Sequence, residues 1–158
     1  MKPKIIISVA LIVAGVFGAY YAGEFSGARQ TEEALAVADG FITALYETPG
    51  DAAAAHEFVS AGYAAIETTG MTTKLLETAQ AVVGNYVNHS AGTDVTDDVA
   101  PGEGRGLKIV KFDVIYSKDN EGRMLVTMLY DGDQWRVHGF NINSPLLTEA
   151  QTTADLGR

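Results

Sequence analysis

Leu129-Tyr130-Asp131-Gly132-Asp133-Gln134-Trp135-Arg136-Val137-His138-Gly139-Phe140-Asn141-Ile142 reads as two β-strands joined by a tight turn. Asp131-Gly132 is a strong two-residue hairpin signal, because such turns need positive φ and glycine adopts it without steric cost. The returning strand runs from Gln134 to Asn143. Strict alternation puts Trp135 and Val137 on one face and Phe140 and Ile142 on the other. Gly139, between the two pairs, is the place for a bulge that restores a common face.

Upstream, the same period of two continues. Arg123 to Tyr130 is apolar on both sides, as a central strand is. Lys108 to Tyr116 alternates, with Val110, Phe112, Val114 and Tyr116 on one side and Lys111 and Asp113 on the other, which predicts a half-exposed strand. The second half of the chain is therefore an antiparallel meander. Asn88 to Gly106, with four glycines, a proline and several aspartates, has the composition of a loop.

Before Gly84 the period is helical. Thr31, followed by Glu32 and Glu33, is an expected N-cap with acids in the first turn, and Leu35, Ala38, Phe41, Ile42 and Leu45 form one apolar stripe. Asp51 is expected to cap a second helix carrying Phe58, Val59, Gly62, Tyr63 and Ile66. A third, from about Thr73 to Val83, closes at Gly84. Ser144 to Arg158 is polar apart from three leucines and reads as a tail. Helices first and a curved antiparallel sheet second is an α+β plan, with the helices covering one side of the sheet.

The N-terminus has a different character. Lys2 and Lys4 precede an uncharged run from Ile5 to Gly23, long enough as a helix, roughly 28 Å, to nearly match a hydrocarbon core of about 30 Å. The expected division is a transmembrane anchor over 1–23, a linker over 24–30, a globular domain over 31–143 and the tail over 144–158. Basic residues before the run and Glu24 after it favour a cytoplasmic N-terminus, with the domain on the periplasmic or extracellular side of an inner membrane. A cleaved signal peptide is the rival; the run is longer than the usual signal core, and Tyr20 and Tyr21 fall where an interfacial belt would. Within the anchor Ala10, Ala14, Gly18 and Ala22 recur every fourth residue. Such a small-residue face lets a second transmembrane helix approach closely, so the expected partners are other membrane protein subunits as well as the lipid bilayer.

With Lys2 and Lys4 set aside, nine Lys/Arg stand against twenty Asp/Glu, a formal charge of −11. Nucleic acid is not an expected partner, since phosphate binding requires a basic face. The chain has no cysteine, which excludes disulfides, thiol catalysis and cysteine-ligated metals. His138, Asp113, Tyr116 and Tyr130 are the strand-borne candidates for acid or base chemistry. His56 and His89 lack a histidine partner at helical metal-ligand spacing, and Asp94, Asp97 and Asp98 lack the glycine and closing glutamate of a calcium loop. Gly102, Gly104 and Gly106 are not followed by a helix N-terminus and do not make a phosphate cradle. No catalytic, cofactor or metal site is therefore assigned.

Three helices, a Gly84-terminated third helix and the closing hairpin through Trp135-Arg136-Val137-His138-Gly139-Phe140-Asn141-Ile142 resemble the NTF2-like superfamily over roughly residues 31 to 143. The look-alikes are bacterial secreted or membrane-anchored domains. The resemblance implies a cone of three helices on a bent sheet, enclosing a pocket that different members use for catalysis, binding or scaffolding. Members that act as isomerases or dehydratases use a pocket Asp or His with a Tyr. Phe41, Tyr63, Phe112, Tyr116, Trp135 and Phe140 are the expected pocket or core residues. The expected function is a non-catalytic accessory or assembly subunit of a membrane complex, with a stand-alone domain binding a small apolar ligand as the alternative and, ranked after both, an isomerase or hydratase.

Overall fold

The computed structural model describes residues 27–47, 53–67, 70–99 and 106–156. Helix α1 runs Gly27–Glu47; of its expected stripe Ala38, Phe41, Ile42 and Leu45 are buried, while Leu35 is only half-buried and Ala34 takes the core position beside it. The backbone is already helical four residues before Thr31, so Thr31 is not the N-cap, and residues 27–30 of the expected linker are helix. Gly27-Ala28-Arg29-Gln30 contains no proline, and Ala28, Arg29 and Gln30 are good helix formers.

The expected second helix is split. A 3₁₀ helix spans Ala53–Phe58 and α2 spans Ala61–Ile66. Between them Val59 bridges Val137 in parallel, and the Ser60 amide donates to Val137 O at 2.8 Å. Ser60, in extended conformation, caps α2 by accepting from the Tyr63 amide. Docking on a strand edge thus outcompetes helical continuation through Val59 and Ser60, while Asp51 lies outside the described residues. Helix α3 (Met71–Val83) ends as expected at Gly84, whose φ is +84°. A Cβ there would collide with Ser117 Oγ, so both the backbone and the close approach require glycine.

The segment read as a loop is an irregular edge. β1 (Tyr86–His89), β2 (Thr93–Asp94) and the single turn α4 (Thr96–Val99) follow one another. β1 and β2 both pair with β3 (Leu107–Tyr116), which pairs with β4 (Gly122–Asp131), which pairs with β5 (Gln134–Asn143), all antiparallel. The order β1-β3-β4-β5 makes a curved sheet. Bulging hid the edge strand from an alternation test. Val87 is extra between the pairs Tyr86↔Tyr116 and Asn88↔Ile115, and Gly92 lies so close that a Cβ would stand 2.8 Å from Phe112 and Val110. Gly102 and Gly104 lie outside the described residues; the Gly106 carbonyl accepts from the Tyr130 amide at 2.8 Å.

The hairpin turns one residue later than expected: Asp131 pairs with Gln134, so the two-residue loop is Gly132-Asp133, and of these only Gly132 has positive φ, +72°. Register slips between Thr127↔Gly139 and Met128↔Val137, so His138 is the extra residue of a bulge adjoining Gly139. Its effect is the expected one: Trp135, Val137, Phe140 and Ile142 are all buried. The tail is not a tail. Ser144 caps α5 (Pro145–Leu156), with the Leu147 amide donating to Ser144 Oγ at 3.3 Å and proline in the first turn where its missing N–H costs nothing. Leu147 is buried in the core. Among the described residues no helix is long and apolar enough to cross a membrane; the expected span lies outside them.

Candidate functional site

Asp39 and Tyr46, two turns apart on α1, border the inner side of the β1 edge. In a regular strand Tyr86 and His89, three residues apart, would point to opposite faces. The bulge at Val87 turns them to the same side. Tyr86 Oη lies 2.6 Å from His89 Nδ1 and His89 Nε2 lies 3.1 Å from Asp39 Oδ1. An ionised carboxylate only accepts, so Nε2 carries the hydrogen, Nδ1 is the acceptor and the Tyr86 hydroxyl donates to it. The His89 ring meets Phe112 edge-on at 5.5 Å.

Tyr46 stacks flat on Tyr86, centroids 4.2 Å apart and planes within 5°, and its hydroxyl is 2.8 Å from that of Tyr116. Burial pushes the Tyr46 phenol well above its ordinary range and Tyr116 up to about 12; burial, then the charge of Asp39, raises Tyr86. These phenols stay protonated at neutral pH. Chemically the line fixes the His89 ring between a phenol donor and a carboxylate acceptor. Asp39 is half open to solvent, whereas the His89 side chain is only 11% exposed.

The other two histidines are also partnered. The β5 bulge aims His138 Nδ1 at Ser60 Oγ, 3.0 Å away, and burial lowers its pKa. Ser60 is buried and already caps α2, so this pair fastens α2 to β5 and does not present a nucleophile. His56 Nε2 lies 2.9 Å from Glu67 Oε2, whose other oxygen accepts from the Thr72 amide at 3.3 Å. Tyr63 hydrogen-bonds Thr72 at 2.7 Å in the same corner.

Asp94 is no solvated loop acid: Lys108 Nζ reaches Oδ2 at 2.7 Å, and the Thr96 amide donates to Oδ1 at 3.0 Å. Burial works against its charge, but Lys108 and Thr96 outweigh it and hold the carboxyl below its usual range. Asp97 and Asp98 lie in α4. Among the described residues no group of three His, Cys, Asp or Glu is placed to hold a metal.

Of the strand candidates, Asp113 is exposed beside Arg123, and Tyr130 packs edge-on against Trp135 at 5.3 Å. Phe41, Tyr63, Phe112, Tyr116, Trp135 and Phe140 are all buried in one core, with Phe41 edge-on to Phe140 at 5.5 Å. Trp135 Nε1 has no hydrogen-bond partner among the described residues. Ala10, Ala14, Gly18 and Ala22 lie outside them. Sequence reasoning missed Asp39, Tyr46 and Tyr86; the spacing of seven on α1 was legible, the bulge that turns Tyr86 beside His89 was not.

At the end of α3 an open groove of about 540 Å³ is lined by Glu77, Gln80, Gly84, Asn85, Ser117 and Lys118. Gln80 Nε2 donates to Asn85 Oδ1 at 2.6 Å, and the Asn85 amide donates to Ser117 Oγ at 2.9 Å. Compared with protein-family models, with curated proteins and with solved structures, the chain matches none.

Proposed function

We propose that this chain is a non-catalytic accessory or assembly subunit of a membrane complex, held by a helix over Ile5 to Gly23 with an NTF2-like domain on the extracytoplasmic face. One observation carries the reading: the chain is already helical at Gly27, the first described residue. At most three residues, 24–26, then lie between the expected span and the first helix of the domain, and three residues can bridge no more than roughly 14 Å. A domain that works alone in solution needs only a long loose tether. A short junction instead keeps the domain against the bilayer and whatever the span packs upon. The small-residue face of Ala10, Ala14, Gly18 and Ala22 supplies that packing.

Asp39, His89 and Tyr86 favour a second reading, in which the domain transfers a proton to or from a small ligand. Tyr46 covers one face of Tyr86 and Phe112 packs on His89, so the line also serves simply to tie β1 to α1. Purification in a mild detergent, with mass spectrometry of co-eluting chains, separates the two. A stoichiometric membrane partner is expected; a chain that elutes alone contradicts the accessory role.

A further inference from the structure

Asn88-His89-Ser90 is an Asn-x-Ser triplet without proline at its middle position, the acceptor signature of N-linked glycosylation. None of the other four asparagines, Asn85, Asn120, Asn141 and Asn143, has Ser or Thr two residues on. Such a triplet is common by itself; the surroundings of Asn88 carry the assignment. The bulge turns Tyr86 and His89 toward α1 and leaves Val87 and Asn88 exposed. Among the described residues β1 pairs only with β3, so Asn88 lies on an open strand edge. Beside it stand the only two exposed large apolar side chains among the described residues, Val87 at 55% and Ile115 at 40%. Val87 precedes Asn88, and Ile115 is its cross-strand partner, which sets the two Cβ atoms about 5 Å apart.

We infer that Asn88 is an N-glycosylation site whose first sugar rests on Val87 and Ile115. The inference rests on the extracytoplasmic placement in the reading above, because this modification belongs to exported segments. Asn88 Nδ2 attacks the anomeric carbon of an oligosaccharide carried on a membrane lipid phosphate. A C–N bond replaces the C–O bond to phosphate, the lipid phosphate leaves with the electron pair, and the amide proton passes to a base of the transferase; nothing is oxidised or reduced. Chain order keeps the acceptor open: β3 follows β1, so residues 86–90 cross the membrane before their ladder partner does. In the folded domain Ser90 Oγ is engaged, accepting from the Asp113 amide and donating to the Ala91 carbonyl, each at 3.0 Å. Transfer therefore precedes the pairing of β1 with β3. The sugar also meets a need of the fold. An open edge beside apolar side chains invites pairing with another chain, and a bulky, hydrophilic glycan whose C–H face covers Val87 and Ile115 closes that edge.

The test is mass spectrometry of the full chain from the membranes of its own cells, intact and as the peptide that contains Asn88. A chain heavier than its sequence by whole sugar residues, with the added mass on Asn88, is expected. Asn88→Gln and Ser90→Ala should each lose that mass entirely, and Ser90→Thr, which preserves the acceptor signature, should keep it. A bare Asn88 in the parent chain, sugar that persists in Ser90→Ala, or sugar at other residues only overturns the inference. Protease added outside intact cells or spheroplasts separates it from the reading it rests on. A digestible domain with a bare Asn88 removes the glycosylation alone; a protected domain with a bare Asn88 removes the extracytoplasmic placement as well. A glycosylated chain that co-purifies with no partner removes only the accessory role.

Discussion

Asp119 and Ser144 stand 25 residues apart in the chain, yet the Ser144 hydroxyl donates to the Asp119 carboxylate at the start of α5. Its other oxygen accepts from the Glu121 amide at 2.8 Å. One buried acid in the β3–β4 turn thus closes the turn and fixes the last helix. Burial alone would raise its pKa, but the bonds from Ser144, Glu121 and Leu146 outweigh it and hold the carboxyl below its usual value. A carboxyl depressed in the folded state contributes stability that is present above its unfolded pKa and lost as pH falls through the folded one. Asp119→Ala should therefore cost about 1 to 3 kcal/mol at neutral pH, the range for unsatisfying buried partners. Hydrogen exchange in α5 should rise before that of the sheet; uniform exchange would show that α5 is held some other way.

His138 gives the opposite end of the pH scale a test. Burial lowers its pKa, so the unfolded chain binds the proton first. Stability should be full above the ordinary histidine value of about 6.5 and decline as pH falls below it. His138→Gln should flatten that decline. A variant whose melting temperature still drops as steeply as the parent's between neutral and mildly acidic pH would place the titrating group elsewhere.

Trp135 is buried at 3% exposure between Tyr130 and the core. Trp135→Ala should cost about 3 to 5 kcal/mol, as deletion of a core aromatic does. Because the indole N–H has no partner among the described residues, Trp135→Phe should cost distinctly less. Equal losses, measured by denaturant unfolding, would mean that the N–H has a partner.

Tyr63 and Tyr116, both pushed up to about 12, and Tyr46, raised well above its ordinary range, should resist ionisation in the folded domain. Burial is the first cause in each. Raised values contribute stability below the unfolded pKa of about 10 that is lost as pH rises through the folded one. Ultraviolet titration should show the exposed tyrosines ionising first and the buried ones only with alkaline unfolding. Tyr116→Phe, which leaves the Tyr46 hydroxyl unpaired, should cost about 1 to 3 kcal/mol. Full ionisation without unfolding would contradict the packing of this cluster.

What the sequence made legible follows period and punctuation. The existence of a tight hairpin at Gly132, though one residue later than Asp131-Gly132 suggested, the buried set of β3 and the Gly84 stop were readable because turn chemistry, alternation and a positive φ each leave a local mark. The edge strand was not, because the bulge at Val87 and the unpaired stretch from Ser90 to Gly92 between β1 and β2 destroy the alternation that identifies strands. Nor was the break at Val59-Ser60, where the continuation of an apolar stripe is overridden by a bond to Val137. The start of α5 had a readable mark, Ser144 before Pro145, but only Asp119, distant in sequence, holds it in place. The line from Asp39 to Tyr86 was hidden for the same reason as the edge strand that carries half of it.

The central claim is that the anchor packs on a partner, and the most direct measurement is co-purification of Gly18→Leu. A leucine there is more favourable in lipid than glycine, so membrane insertion should survive while close helix approach is blocked. The account predicts a protein still in the membrane fraction but lost from the complex that the parent chain co-purifies with. A mutant that stays in that complex, together with binding of the same partner by the domain from Gly27 onward alone, would contradict it.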